Sequence, residues 1–280
     1  MIVGIDIGGS TTDAVLLADE IKVVSVEAND PVAAASGALG KLISAYGYRL
    51  AQVEAIAATG GGARALGSDL LGVPITKVPE ITAIGVGGSS LAGTEDALVV
   101  SMGTGTALVS VKGTRIEHAG GTGVGGGTLL GLSKHMLNVS RLETLESLAM
   151  RGDLSRVDLT VEDVSGGPVG YLPPGATASN FGKISADATP EDKARALINM
   201  IAEVIVVVSV LAARANKHDQ VVLTGKLVRV KPLLERIQST RALFERGFVV
   251  PRFAEVATAI GAARSLCFPP LDGRSHSGVT

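Results

Sequence analysis

The sequence predicts a two-lobed α/β protein, and three observations predict it. An apolar run of strand length, Ile2 to Ile7, passes directly into Gly8-Gly9-Ser10-Thr11-Thr12 and then into a second apolar run, Ala14 to Leu17. The same grammar restarts at Ala97 to Ser101, with Gly103-Thr104-Gly105-Thr106 as the turn and Ala107 to Val111 as the returning strand. The chain also holds 36 glycines in 280 residues, above the usual share of roughly 7 %. Much of that excess lies in these turns and in Gly120-Gly121-Thr122-Gly123-Val124-Gly125-Gly126-Gly127.

The remaining elements follow in order. Ile21 to Val26 is a third strand, set off by a polar turn at Asp19-Glu20. Pro31 to Tyr46 has helical spacing, with Asp30 placed to cap it and Pro31 at its first position. Val53 to Ala58 reads as a strand closed by Thr59-Gly60-Gly61-Gly62, and an extended run leads to Glu80 and a helix over Thr82 to Leu91. After the second opening, Thr114 to His118 is a third strand, and helices are expected at Thr128 to Leu137 and Leu142 to Met150. A Gly/Pro-rich stretch, Gly166 to Gly175, precedes a long helix from Pro190 to Asn216. Gln220 to Leu223 is a strand ending in Thr224-Gly225-Lys226, Lys231 to Ser239 is helical, and Glu255 to Cys267 is a final helix. In that helix Ala259, Ala262 and Ala263 permit close packing. The pattern is a duplicated β-β-β-α-β-α unit with two similar lobes facing a cleft.

Composition narrows the functional classes. A net charge of −2 offers no basic face for nucleic acid. One cysteine, Cys267, excludes an intrachain disulfide and suits a reducing cytoplasm. No signal peptide is read at the N-terminus, and no membrane partner is expected. Ala196 to Ala213 is apolar enough to raise a spanning segment, but Asn199, Glu203 and charged flanks favour a core or interface helix. Residues 268–280 read as a flexible tail.

Glycine-hydroxyl turns behind strands let backbone N–H groups approach an anion, and several together suit a polyphosphate. Ser10, Thr11 and Thr12 offer hydroxyls to phosphates or close an ordinary turn, and Thr104 and Thr106 do the same in the second loop. Gly123 to Gly127 reads as close backbone passage past a nucleotide. Asp6, on an apolar strand, holds a divalent cation or accepts bonds from its own turn. Lys226 borders a nucleoside or is a solvated lysine. Glu80 is a candidate general base for an alcohol acceptor or a helix N-terminal acid, with Glu95, Asp96 and Asp13 as competitors. His118, His135, His218 and His276 lack metal-ligand spacing. No Walker A or Gly-x-Ser-x-Gly motif is present.

These residues resemble a known group. Gly4-Ile5-Asp6-Ile7-Gly8-Gly9-Ser10 is similar to the first phosphate loop of the actin, hexokinase and Hsp70 ATPase superfamily. Within it, the chain resembles type II (eukaryotic-like) pantothenate kinases. The stretches that carry this are Met102 to Leu108, Gly120 to Thr128 with Gly131-Leu132, Arg151-Gly152-Asp153 and Ala178-Ser179-Asn180-Phe181-Gly182. The resemblance implies duplicated ribonuclease-H-like lobes around a central nucleotide cleft, with lobes over 1–92 and 93–267.

It further implies phosphorylation of the primary hydroxyl of pantothenate by ATP and Mg2+, toward coenzyme A, in a cytoplasmic homodimer with the long helix near its interface. Glu80 matches the family's base. Gly8, Gly9, Thr104, Gly125, Gly126 and Gly127 match nucleotide-contacting positions, alongside Asp6, Ser10, Thr11, Thr12, Gly103 and Lys226. Thr106 and His118 fall on the substrate side. His118 stands where the family has an arginine, and Arg115 points to the opposite face of its strand. The alternatives are a kinase for a related alcohol such as pantetheine, and an ATPase switch such as a radical-enzyme activator or reactivating factor.

Overall fold

The computed structural model describes residues 1–27, 30–170, 172–240 and 247–267. The tail expected over 268–280 lies outside them. The chain divides into two compact units. One comprises Met1–Glu95, Val111–Glu117 and the segment from Val256 onward; the other comprises Asp96–Ser110 and His118–Glu255. The boundary expected at residue 92 thus falls at Glu95, and the terminal helix, expected in the second lobe, belongs to the first.

The first unit is built on β1 (Ile2–Ile7), β2 (Thr11–Leu17), β3 (Ile21–Glu27), β4 (Ala55–Thr59), β5 (Asp69–Leu70) and β6 (Val73–Lys77), in the order β3-β2-β1-β4-β6-β5. β1 pairs antiparallel with β2 and parallel with β4, and β4 pairs parallel with β6. Alternation then sorts the side chains by face. Val3, Ile5, Ile7, Ala14, Leu16, Ile56 and Ala58 form one core with Ala35, Ala38, Leu39 and Leu42 of helix α1 (Pro31–Ala45). The expected cap is present, with the Ala33 N–H donating to Asp30 Oδ1 at 2.8 Å.

The opposite face carries Gly4, Ala57 and Asp6. Against it lies the C-terminal helix (Ala257–Cys267), on which α2 (Glu80–Ala92) packs in turn. These two helices meet backbone to backbone: a Cβ at Gly87 would fall 1.9 Å from the Ala257 carbonyl oxygen. One at Gly261 would fall 1.9 Å from that of Ala83. Ala259, Ala262 and Ala263 are fully buried, which is why the terminal helix joins this unit.

The second sheet repeats the order. Strands β7 (Asp96–Met102), β8 (Thr106–Lys112), β9 (Arg115–Thr122), β12 (Gln220–Thr224) and β13 (Gly247–Val249) lie as β13-β12-β7-β8-β9. β12 is parallel to both β7 and β13. Read from the other side, β9-β8-β7-β12-β13 matches β3-β2-β1-β4-β6, so the duplication read from the sequence is present in the topology. β9 is longer than expected and absorbs Gly120-Gly121-Thr122, while Gly126 and Gly127 open the next helix. The third glycine run is therefore strand, loop and helix in turn.

The second core gathers α3 (Gly126–Leu137), α4 (Leu142–Ala149), α6 (Pro190–Ala215) and α7 (Lys231–Ser239) on Leu98, Val100, Val221 and Leu223. α6 has a mean hydropathy of 2.4 over its most apolar window, long enough to span a membrane, but 61 % of that window is buried within the protein. It is a core helix. An excursion between α4 and α6 adds β10 (Leu159–Thr160), α5 (Val161–Ser165) and β11 (Thr177–Ser179), none of them read from the sequence.

The stretches Arg151-Gly152-Asp153 and Ala178 to Gly182 anchor this excursion to α6. Arg151 pairs with Glu191 at 3.1 Å, and the Asp153 N–H donates to Asp192 at 2.8 Å. Asn180 donates to Glu203 at 2.9 Å, and the Phe181 N–H donates to Asp158 at 2.9 Å.

Candidate active site

The parallel strands β1, β4 and β6 end along one edge of the first sheet, the place where open α/β sheets bind ligands. Gly8-Gly9-Ser10 leaves β1 there, Gly60 leaves β4, and Glu80 follows β6. The turn after β1 is closed by the Gly8 N–H donating to the Thr11 carbonyl at 3.0 Å, and Gly9 and Ser10 are exposed.

Asp6 is half-buried and sits in register between Asp13 on β2 and Thr59 on β4. The neighbour that admits its carboxylate is Gly60, at φ +85°. A Cβ there would lie 2.4 Å from Asp6 Oδ1. Asp13 is buried, and its Oδ1 accepts from the Ser25 hydroxyl at 2.5 Å. Thr59 Oγ1 is buried without a hydrogen-bond partner among the described residues. Two carboxylates and a hydroxyl in one register row form an all-oxygen donor set, which fits Mg2+ held with water.

Thr12 departs from expectation. It pairs with Ile7, on the α1 face, and is fully buried, so its hydroxyl does not reach the strand edge. Glu80 is exposed and is the first residue of α2, with Pro79 at the N-cap position and no side-chain cap bond. The backbone contact of α2 with the terminal helix gives it a rigid platform.

In the second unit the edge formed by β7 and β12 carries Gly103-Thr104-Gly105 and Thr224-Gly225-Lys226. Here the glycine run is fastened to the turn. The Gly126 N–H donates to the Gly103 carbonyl at 2.8 Å, and the Gly127 N–H to the Thr104 carbonyl at 2.9 Å. Thr106 Oγ1 donates to the Val124 carbonyl at 2.8 Å. A Cβ on Gly125 would fall 2.7 Å from the Gly105 backbone. Crowding by the neighbouring loop therefore requires glycine at 125. The amides of Gly126 and Gly127 are already engaged, and Thr106, expected on the substrate side, is buried with its hydroxyl bracing the loop. Gly123 is exposed with open space beside it, and Thr104 is exposed at the tip.

Of the competing bases, Asp96 Oδ1 lies 2.5 Å from His218 Nδ1, and His218 Nε2 meets Ser110 Oγ at 2.7 Å. Ser110 is only 6 % exposed and His218 fully buried, so this line clamps β7 and β8 to the loop after α6. His118 is exposed on β9; Arg115 pairs with Glu117 at 2.8 Å.

Both strand-closing Thr-Gly turns were read from the sequence, but their equivalence was not. Thr59-Gly60 and Thr224-Gly225 end corresponding strands, with φ of +85° and +87°. Each threonine is buried, and each glycine abuts the end of the first strand of its sheet, Asp6 and Ile7 in one case and Met102 in the other. The repeated Thr-Gly dipeptide was the available signal.

The family model described as Fumble matches residues 96–262. The chain belongs to the Fumble family. Among its relatives, a protein of Oceanobacillus iheyensis named "Type II pantothenate kinase" is 35 % identical over 187 residues, covering 64 % of this chain and 69 % of the relative. One of the same name from Staphylococcus haemolyticus is 30 % identical over 218 residues, covering 75 % and 81 %. Among solved structures, the activator of the 2-hydroxyisocaproyl-CoA dehydratase from Clostridium difficile, with bound ADPNP, aligns with a TM-score of 0.68 at 17 % identity, covering 94 % and 92 %. A ROK family glucokinase from Streptomyces griseus, in complex with glucose and AMPPNP, aligns at 0.57 and 14 %, covering 94 % and 98 %. These place the Fumble chain in the actin-like ATPase fold, with duplicated ribonuclease-H-like units.

Proposed function

We propose that this chain transfers the γ-phosphoryl group of ATP to the primary hydroxyl of pantothenate, giving phosphopantothenate and ADP on the way to coenzyme A. The observation that carries this is membership of the Fumble family, with relatives named Type II pantothenate kinase at 35 % and 30 % identity. In the second unit, Gly103, Thr104 and Gly123 with Lys226 receive the nucleotide, Gly125, Gly126 and Gly127 holding that turn in shape. In the first unit, Gly8, Gly9, Ser10 and Thr11 serve phosphate oxygens.

Asp6 holds Mg2+, which neutralises charge on the phosphates when bound. Glu80 orients the acceptor hydroxyl and takes its proton as the new P–O bond forms and the bond to the ADP oxygen breaks. We further propose that the enzyme is cytoplasmic and works as a homodimer through α6, where Val207 and Leu211 are 45 % and 58 % exposed, one turn apart.

His118 favours a second acceptor reading. An imidazole lacks the planar fork with which an arginine grips a carboxylate, and pantetheine has none. ADP formation measured with MgATP against pantothenate, pantetheine, pantoate and no acceptor tests the proposal. Pantothenate-dependent turnover is expected. Turnover with pantetheine alone supports the second reading, and equal turnover without acceptor overturns both in favour of an ATPase switch.

A further inference from the structure

In the second unit, four loops meet at the edge where β7, β12 and β13 end. β12 and β13 run parallel, with Val222 beside Val249, so the turns that follow them are neighbours. The Gly225 N–H donates to the Ala254 carbonyl at 2.9 Å, which ties the turn after β13 to Thr224-Gly225-Lys226. Gly225 also abuts the end of β7: a Cβ there would lie 2.6 Å from the Met102 carbonyl oxygen. Leu227 in turn comes within 3.6 Å of where a Cβ on Gly126 would stand. The turn over 251–254 thus belongs to the edge that carries Thr104 and Lys226, and the proposed phosphoryl transfer gives it no role.

That turn holds an aromatic residue where the backbone suits glycine. The Ala254 N–H donates to the Pro251 carbonyl at 3.2 Å, so Arg252 and Phe253 are the turn's central pair. Phe253 has a φ of +64°, the left-handed region that the third position of a turn normally gives to glycine or asparagine. A bulky side chain there is strained, and such strain gathers at binding sites. The ring supports a cation: the Arg252 guanidinium carbon lies over it, 4.6 Å from the centroid. Phe253 is half-buried and Arg252 is exposed, so the ring backs the guanidinium from the protein side.

We propose that Arg252, backed by Phe253, is the platform on which the base of the nucleotide stacks. This rests on the nucleotide being received at Thr104, Gly123 and Lys226. Phosphates drawn to the glycine turn after β7 leave the base to run along the edge past Lys226, where β12 and then β13 come next. A planar, delocalised cation stacks on the face of any base, and the ring beneath holds it in one orientation beforehand. Lysine, a point charge on a flexible stem, cannot replace it.

Calorimetric titration of the full chain with ATP and with inorganic tripolyphosphate, each with Mg2+, tests this. The wild-type chain should bind ATP more tightly than tripolyphosphate. Arg252→Lys, which keeps the charge and loses the plane, should weaken ATP about tenfold, or ~1.4 kcal/mol, and leave tripolyphosphate unchanged. Phe253→Asn, which tolerates the left-handed backbone, should weaken ATP with the same selectivity. Equal losses for ATP and tripolyphosphate would make Arg252 a phosphate contact and overturn the proposal. Wild-type ATP affinity in a folded Arg252→Lys chain would overturn it too, with the kinase reading intact. A wild-type chain that binds neither probe would overturn both.

Discussion

In the first unit the turn after β1 is closed by the backbone bond from Gly8 to Thr11, and Gly9 and Ser10 at its tip are exposed. In the second, the corresponding turn after β7 is held by the carbonyls of Gly103 and Thr104 to the amides of Gly126 and Gly127, with Gly125 pressed against Gly105. The two turns look alike in sequence, yet their glycines answer different needs. The first keeps a tip accessible; the second lets two loops and a helix start share one small volume. A glycine run can thus belong to a binding site by building its wall without touching the ligand.

Substitutions that add one methyl group separate these roles. Gly125→Ala should have the largest effect, because the Cβ has only backbone to displace. We expect a loss of about 1–3 kcal/mol of stability in denaturant unfolding, together with collapse of activity. Gly123→Ala, beside open space, should leave unfolding unchanged and raise the KM for ATP if the nucleotide passes there. A Gly125→Ala variant of wild-type stability would show that the second turn is not braced as described.

The Thr-Gly pair tests what the units share. Gly60→Ala and Gly225→Ala should each destabilise by about 1–3 kcal/mol, from the left-handed backbone and the clash behind it. Only Gly60→Ala should also raise the Mg2+ concentration needed for half-maximal activity, since it displaces the Asp6 carboxylate. Equal Mg2+ dependence in the two variants would argue against Asp6 as the cation's holder.

Thr12→Val is a smaller change with the opposite sign. Its hydroxyl is buried and unpartnered among the described residues, so an isosteric methyl should be neutral or stabilising by about 1 kcal/mol, with the KM for ATP unaltered. A raised KM would return Thr12 to the phosphate side.

The smallest effect lies outside both turns and serves as their control. The Lys183 ammonium and the Thr160 N–H and hydroxyl hold Asp163 down to about 2. A depressed carboxylate stabilises the fold above its unfolded value and loses that contribution as pH falls toward the folded one. The unfolding temperatures of wild type and Asp163→Asn should therefore differ slightly above pH ~4 and converge as the pH approaches ~2. Convergence on the alkaline side instead would contradict the assignment.

Much of this was legible from residues alone. The strand–turn–strand openings, the Asp30 cap and the small-residue face of the terminal helix are local signals, and the structure bears them out. What escaped was set by register and long-range contact. That Thr12 faces α1 depends on its pairing with Ile7. That Thr106 and Gly125 brace a loop depends on residues 18 and 20 positions apart meeting, Thr106 with Val124 and Gly105 with Gly125. The excursion between α4 and α6 has short strands with little periodicity, and its order comes from bonds of Asp158 and Asn180 within it to Asn199 and Glu203 on α6.

The division of labour between the units is tested most directly at Glu80. In Glu80→Gln, pantothenate-dependent ADP formation should fall by about 10²–10⁴-fold, while the affinity for ATP, measured by titration on the same preparation, stays at the wild-type value. Turnover retained within a few-fold of wild type would contradict the assignment of the acceptor's proton to this residue, and with it the account of what the first unit does.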